Sequence, residues 1–209
     1  MSLEEMREQN KEKVAAAALK LFIANGIDVT KISDIAHESG LTPRSVYRYF
    51  ESKTELVLDA ARLFWEQTVS QSEKVWSVCA DRKMSGSQQI EAVLKAYAEQ
   101  YFSSREILIF VQEAEVYLHR NKMSFLIHDR PHIAFPDGNG PLNLAIHNGL
   151  IDGTVKDSPD LELLYYNAYD SLLGLMQKMA DKTQAWRSVG DDRRRIDIFC
   201  EMLARTFCA

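Results

Sequence analysis

A run of about 18 apolar residues, the minimum for a membrane-spanning helix, is missing from this 209-residue chain, so no transmembrane segment is expected. The first residues, Met1-Ser-Leu-Glu-Glu-Met-Arg-Glu, are polar and acidic. They do not make a signal peptide, and a cytoplasmic protein is the expectation. Cysteine is scarce: Cys79, Cys200 and Cys208 are odd in number and form no CxxC pair. That excludes a disulfide framework or zinc ribbon and predicts free thiols packed as small apolar groups. The spacing of Cys200 and Cys208, eight apart in a helical segment, suits a buried stripe. An excess of positive charge is also lacking, since the formal net charge is −5. A blanket basic surface for nucleic acid is thereby ruled out, and any DNA contact must come from a local cluster. Residues 1–53 hold eight Lys/Arg and eight Asp/Glu, so the acidic excess lies downstream.

Catalytic and cofactor motifs are missing as well. The chain contains no GxGxxG, P-loop, GxSxG or HExxH pattern, and its five histidines are scattered; no enzyme and no cofactor is expected. His128-Asp-Arg-Pro-His132 has the spacing of a two-ligand metal motif. Pro131 and the surrounding turn residues argue against the helix such a motif needs, so no metal is expected there.

What is present is helical periodicity almost throughout. From Glu8 to Asn25, Val14, Ala18, Leu21 and Phe22 follow the spacing of one buried face, ended by Gly26. Thr30 is predicted to cap a short helix carrying Ile32, Ile35 and Ala36, ended by Gly40. Thr42 caps a third, with Pro43 at its first position, where a missing N–H costs nothing. Ser52-Lys-Thr-Glu55 forms a capping box for a long fourth helix to about Ser77. Further helices are predicted from Ser85 to about Phe102, Arg105 to about Arg120, up to His147, from Ser158-Pro159 to about Lys182, and from Asp191 or Asp192 to the end. Residues 128–141 are crowded with Pro and Gly and read as loop, and 148–157 as a turn. No alternating strand pattern or internal repeat stands out. The fold class is all-α.

The first fifty residues describe a helix-turn-helix unit, three helices joined by tight glycine-containing turns. In the third, Val46 and Phe50 point at a core shared with Ile35 and Phe22. Pro43, Arg44, Tyr47 and Arg48 then lie together on the opposite side. Arginine reads guanine bidentately or holds phosphate, and tyrosine donates to phosphate or packs on a thymine methyl. The helix N-termini at Thr30 and at Ser52–Lys53 add N–H groups and positive dipole ends suited to phosphate.

Residues 10–56 resemble the N-terminal domain of the TetR family of bacterial regulators. The likeness is carried by Leu21-Phe22-Ile-Ala-Asn-Gly26, by Val29-Thr30-Lys-Ile32-Ser-Asp-Ile35-Ala36, by Gly40-Leu-Thr42-Pro-Arg-Ser45-Val-Tyr47-Arg-Tyr49-Phe50, and by Lys53. The resemblance implies that the third helix enters the major groove, with residues from Thr42 to Tyr49, Ser45 among them, supplying contacts. It also implies phosphate contacts from Thr30 and Lys53, a second-helix contact from Ser33, and an aromatic contact pair at Tyr47 and Tyr49. Tyr49 stands where members often carry His.

Beyond residue 53 the resemblance is one of architecture. It implies that the last two helices dimerise and the middle ones enclose a small molecule. The residues support the first half on their own. Ile196, Phe199, Cys200, Leu203 and Phe207 form one helical stripe; Leu161, Leu164, Tyr165, Ala168, Leu172, Leu175, Met176 and Met179 form another. Leu163, Tyr166 and Leu173 make the opposite side of the latter apolar too, and a helix apolar nearly all round is buried on both sides. The interface set is Leu164, Ala168, Leu172, Leu175, Ile196, Phe199, Leu203 and Phe207; the alternative is that both sides belong to one internal core. For the ligand, the apolar stretch from Ile107 to Leu118 carries Gln112, Glu113 and Glu115. The candidate lining is Tyr97, Tyr101, Phe110, Glu113, Tyr117, Tyr166 and Tyr169, with Phe125 and Tyr165 as further aromatics, against the plainer reading of core aromatics and solvated carboxylates.

The expectation is a helix-turn-helix DNA-binding domain at 1–53 and a helical ligand-binding and dimerisation domain at 54–209. The protein would be a homodimeric, ligand-responsive repressor of double-stranded operator DNA, with no membrane partner. An all-α enzyme lacks the motifs it would need. A DNA-binding architectural protein without a ligand differs only in having a solid middle domain.

Overall fold

The computed structural model describes residues 2–103, 105–123, 135–180 and 191–209. Phe125 and the motif at 128–132 therefore lie outside the described residues. Among those described, the elements are α1 (Leu3–Asn25), α2 (Ile32–Ser39), α3 (Pro43–Tyr49), α4 (Lys53–Asp81), α5 (Gly86–Ser103), α6 (Arg105–Arg120), α7 (Pro141–Asp152), α8 (Leu161–Ala180) and α9 (Asp192–Phe207). None of these helices is long and apolar enough to cross a membrane. Contacts divide the chain into two compact units, Met1–Glu66 with Glu106–Phe125, and Gln67–Arg105 with Leu126–Ala209. Helix α4 begins in the first unit and ends in the second.

In the first unit α1 packs on α2 and α3. Val14, Ala18 and Phe22 from α1, Ile35 and Ala36 from α2, and Val46 and Phe50 from the third helix and its end are all buried. Leu56, Ala60 and Phe64 from α4 and Leu108, Phe110 and Ala114 from α6 are buried in the same unit. Phe22 and Phe110 stack nearly parallel, ring centroids 6.0 Å apart. The helix α1 starts five residues before the expected Glu8 because Ser2 and Glu5 form a capping box. Glu5 N–H donates to Ser2 Oγ at 3.1 Å and Ser2 N–H to Glu5 Oε2 at 2.7 Å.

The predicted cap of α2 moves by one residue. Thr30 is only 3% exposed, and its hydroxyl turns back to donate to the Gly26 carbonyl at 2.7 Å. Lys31 takes the cap position, its N–H donating to Asp34 Oδ2 at 3.2 Å. Gly40 ends α2 in the left-handed region (φ +69°), where a side chain would be strained. That conformation lets Leu41 N–H reach the Ala36 carbonyl at 2.8 Å.

In the second unit α5 packs on α7, α8 and α9, and α8 on α9. The α5–α7 crossing is set by two glycines: a Cβ on Gly86 would lie 2.1 Å from the Gly149 Cα and N. The start of α5 is held from outside itself, Gly86 N–H donating to Asp152 Oδ2 at 2.7 Å and Ser87 N–H to Thr154 Oγ1 at 3.1 Å. Here α7 runs past the predicted stop at His147 to Asp152, with Gly149 inside it. Tertiary packing overrides the low helix propensity of glycine because only glycine admits α5 at this distance. Within the predicted turn, Val155 forms an isolated antiparallel bridge with Cys208, just after α9. Cys200 is buried as expected, but Cys208 is exposed, because it follows the end of α9 in extended backbone.

Candidate DNA interface and effector unit

The helix-turn-helix owes its shape to short-range capping. Thr42 Oγ1 accepts from Ser45 N–H at 3.2 Å, and Pro43 occupies the first position of α3. Such a cap contributes about 1 kcal/mol and fixes where the helix begins. Seven residues make barely two turns, so this start decides which side chains face outward. Val46 is 1% and Phe50 2% exposed, and they anchor the inner side. Pro43, Arg44, Tyr47 and Arg48 are exposed on the other, Tyr47 at 55%.

Arg48 extends along its neighbour, Nη2 donating to the Tyr49 hydroxyl at 3.1 Å with the guanidinium 5.2 Å from the ring centre. The stacking holds both groups in one orientation at the end of α3. Ser33 is exposed on α2 and donates to Asp34 Oδ1 at 3.2 Å. Lys53, at the first position of α4, donates to the Asp28 carbonyl at 3.4 Å. Partial burial lowers its pKa, opposed by the Asp28 carboxylate. Arg44, Tyr47, Arg48, Ser33 and Lys53 are thus placed with accessible polar atoms. Thr30 is not: its buried hydroxyl is spent on Gly26.

The predicted ligand residues separate by unit. Phe110 is 1% exposed and stacks on Phe22 within the first unit. Glu113, in the same unit, accepts from Ile27 N–H at 3.3 Å, and with Tyr117 it lines a cleft against the turn after α1. In the second unit Tyr97 and Tyr169 share a hydroxyl–hydroxyl hydrogen bond of 2.7 Å. Tyr165 lies edge-on to both Tyr166 and Tyr169, ring centres 5.3 and 5.0 Å away. Tyr166 accepts from Phe135 N–H at 3.3 Å. Burial raises Tyr97 to about 12 and Tyr165 and Tyr169 well above the ordinary phenol value, so all three remain neutral donors. Tyr101 stands apart from these three, donating to Asp192 Oδ2 at 2.6 Å beside the Arg105–Asp192 ion pair. Burial first, and Asp192 second, raise it to about 12. Tyr165, which the sequence places both among the candidate lining aromatics and in the packing stripe of α8, joins this cluster.

The predicted interface stripe also divides. Ala168, Leu172, Ile196 and Phe207 are buried inside the protomer, whereas Leu164, Leu175, Phe199 and Leu203 are half-buried. The inward spacing is therefore core of the chain's own making. Leu163, Ile198 and Met202 are exposed at 62%, 46% and 56%; they stand off the main stripe, Leu163 on the apolar opposite side of α8 expected from the sequence.

Residues 14–60 match the family model of bacterial regulatory proteins, tetR family. An uncharacterized HTH-type transcriptional regulator of Bacillus subtilis (strain 168), YerO, is 23% identical over 103 residues. That stretch is 49% of this chain and 34% of the relative, so the match spans about a third of the relative's length. Among solved structures, a TetR family transcription regulator from Marinobacter aquaeolei VT8 superimposes with a TM-score of 0.65, at 18% identity and 99% coverage of both chains. RolR in complex with resorcinol superimposes with a TM-score of 0.61, at 17% identity, over 98% of this chain and 90% of that one.

Proposed function

We propose that this chain, whose residues 14–60 match the family model of bacterial regulatory proteins, tetR family, is a homodimeric repressor that leaves a palindromic operator when a small molecule binds its second unit. The observation that carries the reading is the two-sided α3. Val46 and Phe50 lock one side into the core, and Arg44, Tyr47 and Arg48 stand exposed on the other, inside the matched residues. Thr42, Pro43 and Ser45 set the start of that helix against DNA, Tyr49 steadies Arg48, and Ser33 and Lys53 reach phosphate from the neighbouring helices. Thr30 serves by shaping the turn.

The homodimer forms through the outward faces of α8 and α9, where Leu163, Leu164, Leu175, Ile198, Phe199, Met202 and Leu203 leave apolar surface uncovered in one protomer. A two-fold interface of this kind presents two recognition helices about one DNA turn apart, roughly 34–36 Å. The effector enters the tyrosine cluster of Tyr97, Tyr165, Tyr166 and Tyr169, whose neutral hydroxyls and ring faces suit a small uncharged aromatic molecule. A structural relative solved with resorcinol agrees with that chemistry. The chain acts on transcription in the cytoplasm.

Selection of genomic fragments on the purified protein tests the reading. An inverted repeat recovered by the parent and lost by Arg44→Ala is expected. Recovery of the same fragments by both proteins would refute the assignment of α3 as the reading helix.

A further inference from the structure

The turn after α1 and one face of α6 enclose a cleft of about 450 Å³ within the first unit, inside the range of small-molecule sites, roughly 300–1,000 Å³. Its lining is unusual for a surface. Val29, Ile109 and Val116 are exposed at 66%, 37% and 46% and converge on it, where single exposed apolar residues are normally scattered. Opposite charges mark its two ends. Glu113 lies against the turn, its carboxylate oxygens 3.7 and 3.9 Å from where a Gly26 Cβ would be, so the glycine leaves that carboxylate uncovered. One oxygen accepts from Ile27 N–H at 3.3 Å. Arg120 lies seven residues further along the same face of α6, about 10.5 Å by helix rise. Neither Glu113 nor Arg120 takes part in an ion pair among the described residues. Asp28 adds a second carboxylate at the turn end, partly offset by Lys53.

We propose that this cleft binds a small extended zwitterion of the ω-amino carboxylate class. Its ammonium sits on Glu113, its carboxylate on Arg120, and its methylene chain on Val29, Ile109 and Val116. The lengths agree. Six bonds from nitrogen to carboxyl carbon span about 7 Å. Charge-assisted hydrogen bonds of about 2.8 Å at each end extend the reach to about 12–13 Å, of the same order as the rise of about 10.5 Å between the two positions on α6. A simple cation would leave Arg120 facing an apolar chain, and a simple anion would face Glu113 and Asp28. Only a ligand carrying both charges, in this order, meets both ends. The site lies on the DNA-reading unit and does not depend on the effector reading of the second unit: if it fails, operator binding and its release are untouched.

The test is calorimetric titration of the full chain with 6-aminohexanoate, hexanoate and hexylammonium. The zwitterion is expected to bind at least about 10-fold more tightly than either half-ligand. Glu113→Gln keeps an acceptor for Ile27 N–H and should reduce the zwitterion to the level of hexanoate. Arg120→Gln should reduce it to the level of hexylammonium, with melting temperatures unchanged in both. No zwitterion binding up to about 20 mM, equal binding of the three ligands, or equal zwitterion affinity in the parent and both variants would overturn the proposal.

Discussion

Gly86→Ala places a methyl carbon 2.1 Å from the Gly149 Cα and N, both backbone atoms of α7, and 2.9 Å from the Ala145 carbonyl oxygen. Carbon contacts sit at about 3.5–4.0 Å, so α5 must move away from α7 by more than an ångström. No rotamer change can relieve a clash with backbone. Overpacking costs about 1–3 kcal/mol. The same movement stretches the Gly86 N–H bond to Asp152, and a hydrogen bond to a charged group is worth about 1.5–3 kcal/mol when intact. Against this, alanine gains about 0.4–1 kcal/mol from a less flexible unfolded chain. The net is a loss of about 2–4 kcal/mol, or a fall in melting temperature of roughly 4–16 °C for a chain of this length. Thermal unfolding followed by far-ultraviolet circular dichroism reads it directly. Gly149→Ala offers an internal comparison, because its Cβ meets the Val155 side chain at 2.2 Å. There, a second change, Val155→Ala, should restore part of the loss, whereas it should do nothing for Gly86→Ala. A Gly86→Ala protein that melts at or above the parent temperature would refute the account of this crossing.

Met202→Glu, alone or with Leu163→Glu, should leave each protomer folded, since both side chains are exposed in it, and should shift sedimentation from the dimer toward the 23.9 kDa monomer. An unchanged dimer would place the interface elsewhere. The Asp152 carboxyl is held below its ordinary value of 3.8 by the Thr154 hydroxyl and the Gly86 and Thr154 N–H groups. A depressed folded pKa contributes stability that is present above 3.8 and lost as pH falls through the folded value. Asp152→Asn should therefore melt lower than the parent at neutral pH, with the difference shrinking below pH 3.8; a difference independent of pH would contradict this.

Legibility followed the range of the interactions. The start of α3 was readable because Thr42, Pro43 and Ser45 settle it among themselves, and Val46 and Phe50 then follow from helix period alone. Thr30 was misread because its hydroxyl had two local choices, the next helix or the preceding carbonyl of Gly26; burial decided for the latter. The early start of α1 rests on Ser2 and Glu5, a capping box ahead of a segment with no apolar periodicity to draw attention to it. Glu113 could not be placed from sequence, since its partner Ile27 is 86 positions away and α6 is apolar on more than one side. The stripe of α8 and α9 was correct in period but mixed two faces. Period tells which residues share a side, and only packing tells whether that side meets the chain's own core. Gly149 reads as a turn residue in the sequence, because the α7 crossing that needs it is a long-range contact with Gly86.

The proposed function stands on α3 reading DNA through Arg44, Tyr47 and Arg48 in a dimer. Binding of the selected operator fragment, measured across about 50–200 mM salt, tests it most directly, with Arg44→Ala beside the parent protein. Steeply salt-dependent binding by the parent is expected. Arg44→Ala should lose about 1–3 kcal/mol per half-site and show a shallower salt slope, with dimer and melting temperature unchanged. Equal affinity and equal slope in the two proteins, or an Arg44→Ala protein that unfolds, would contradict it.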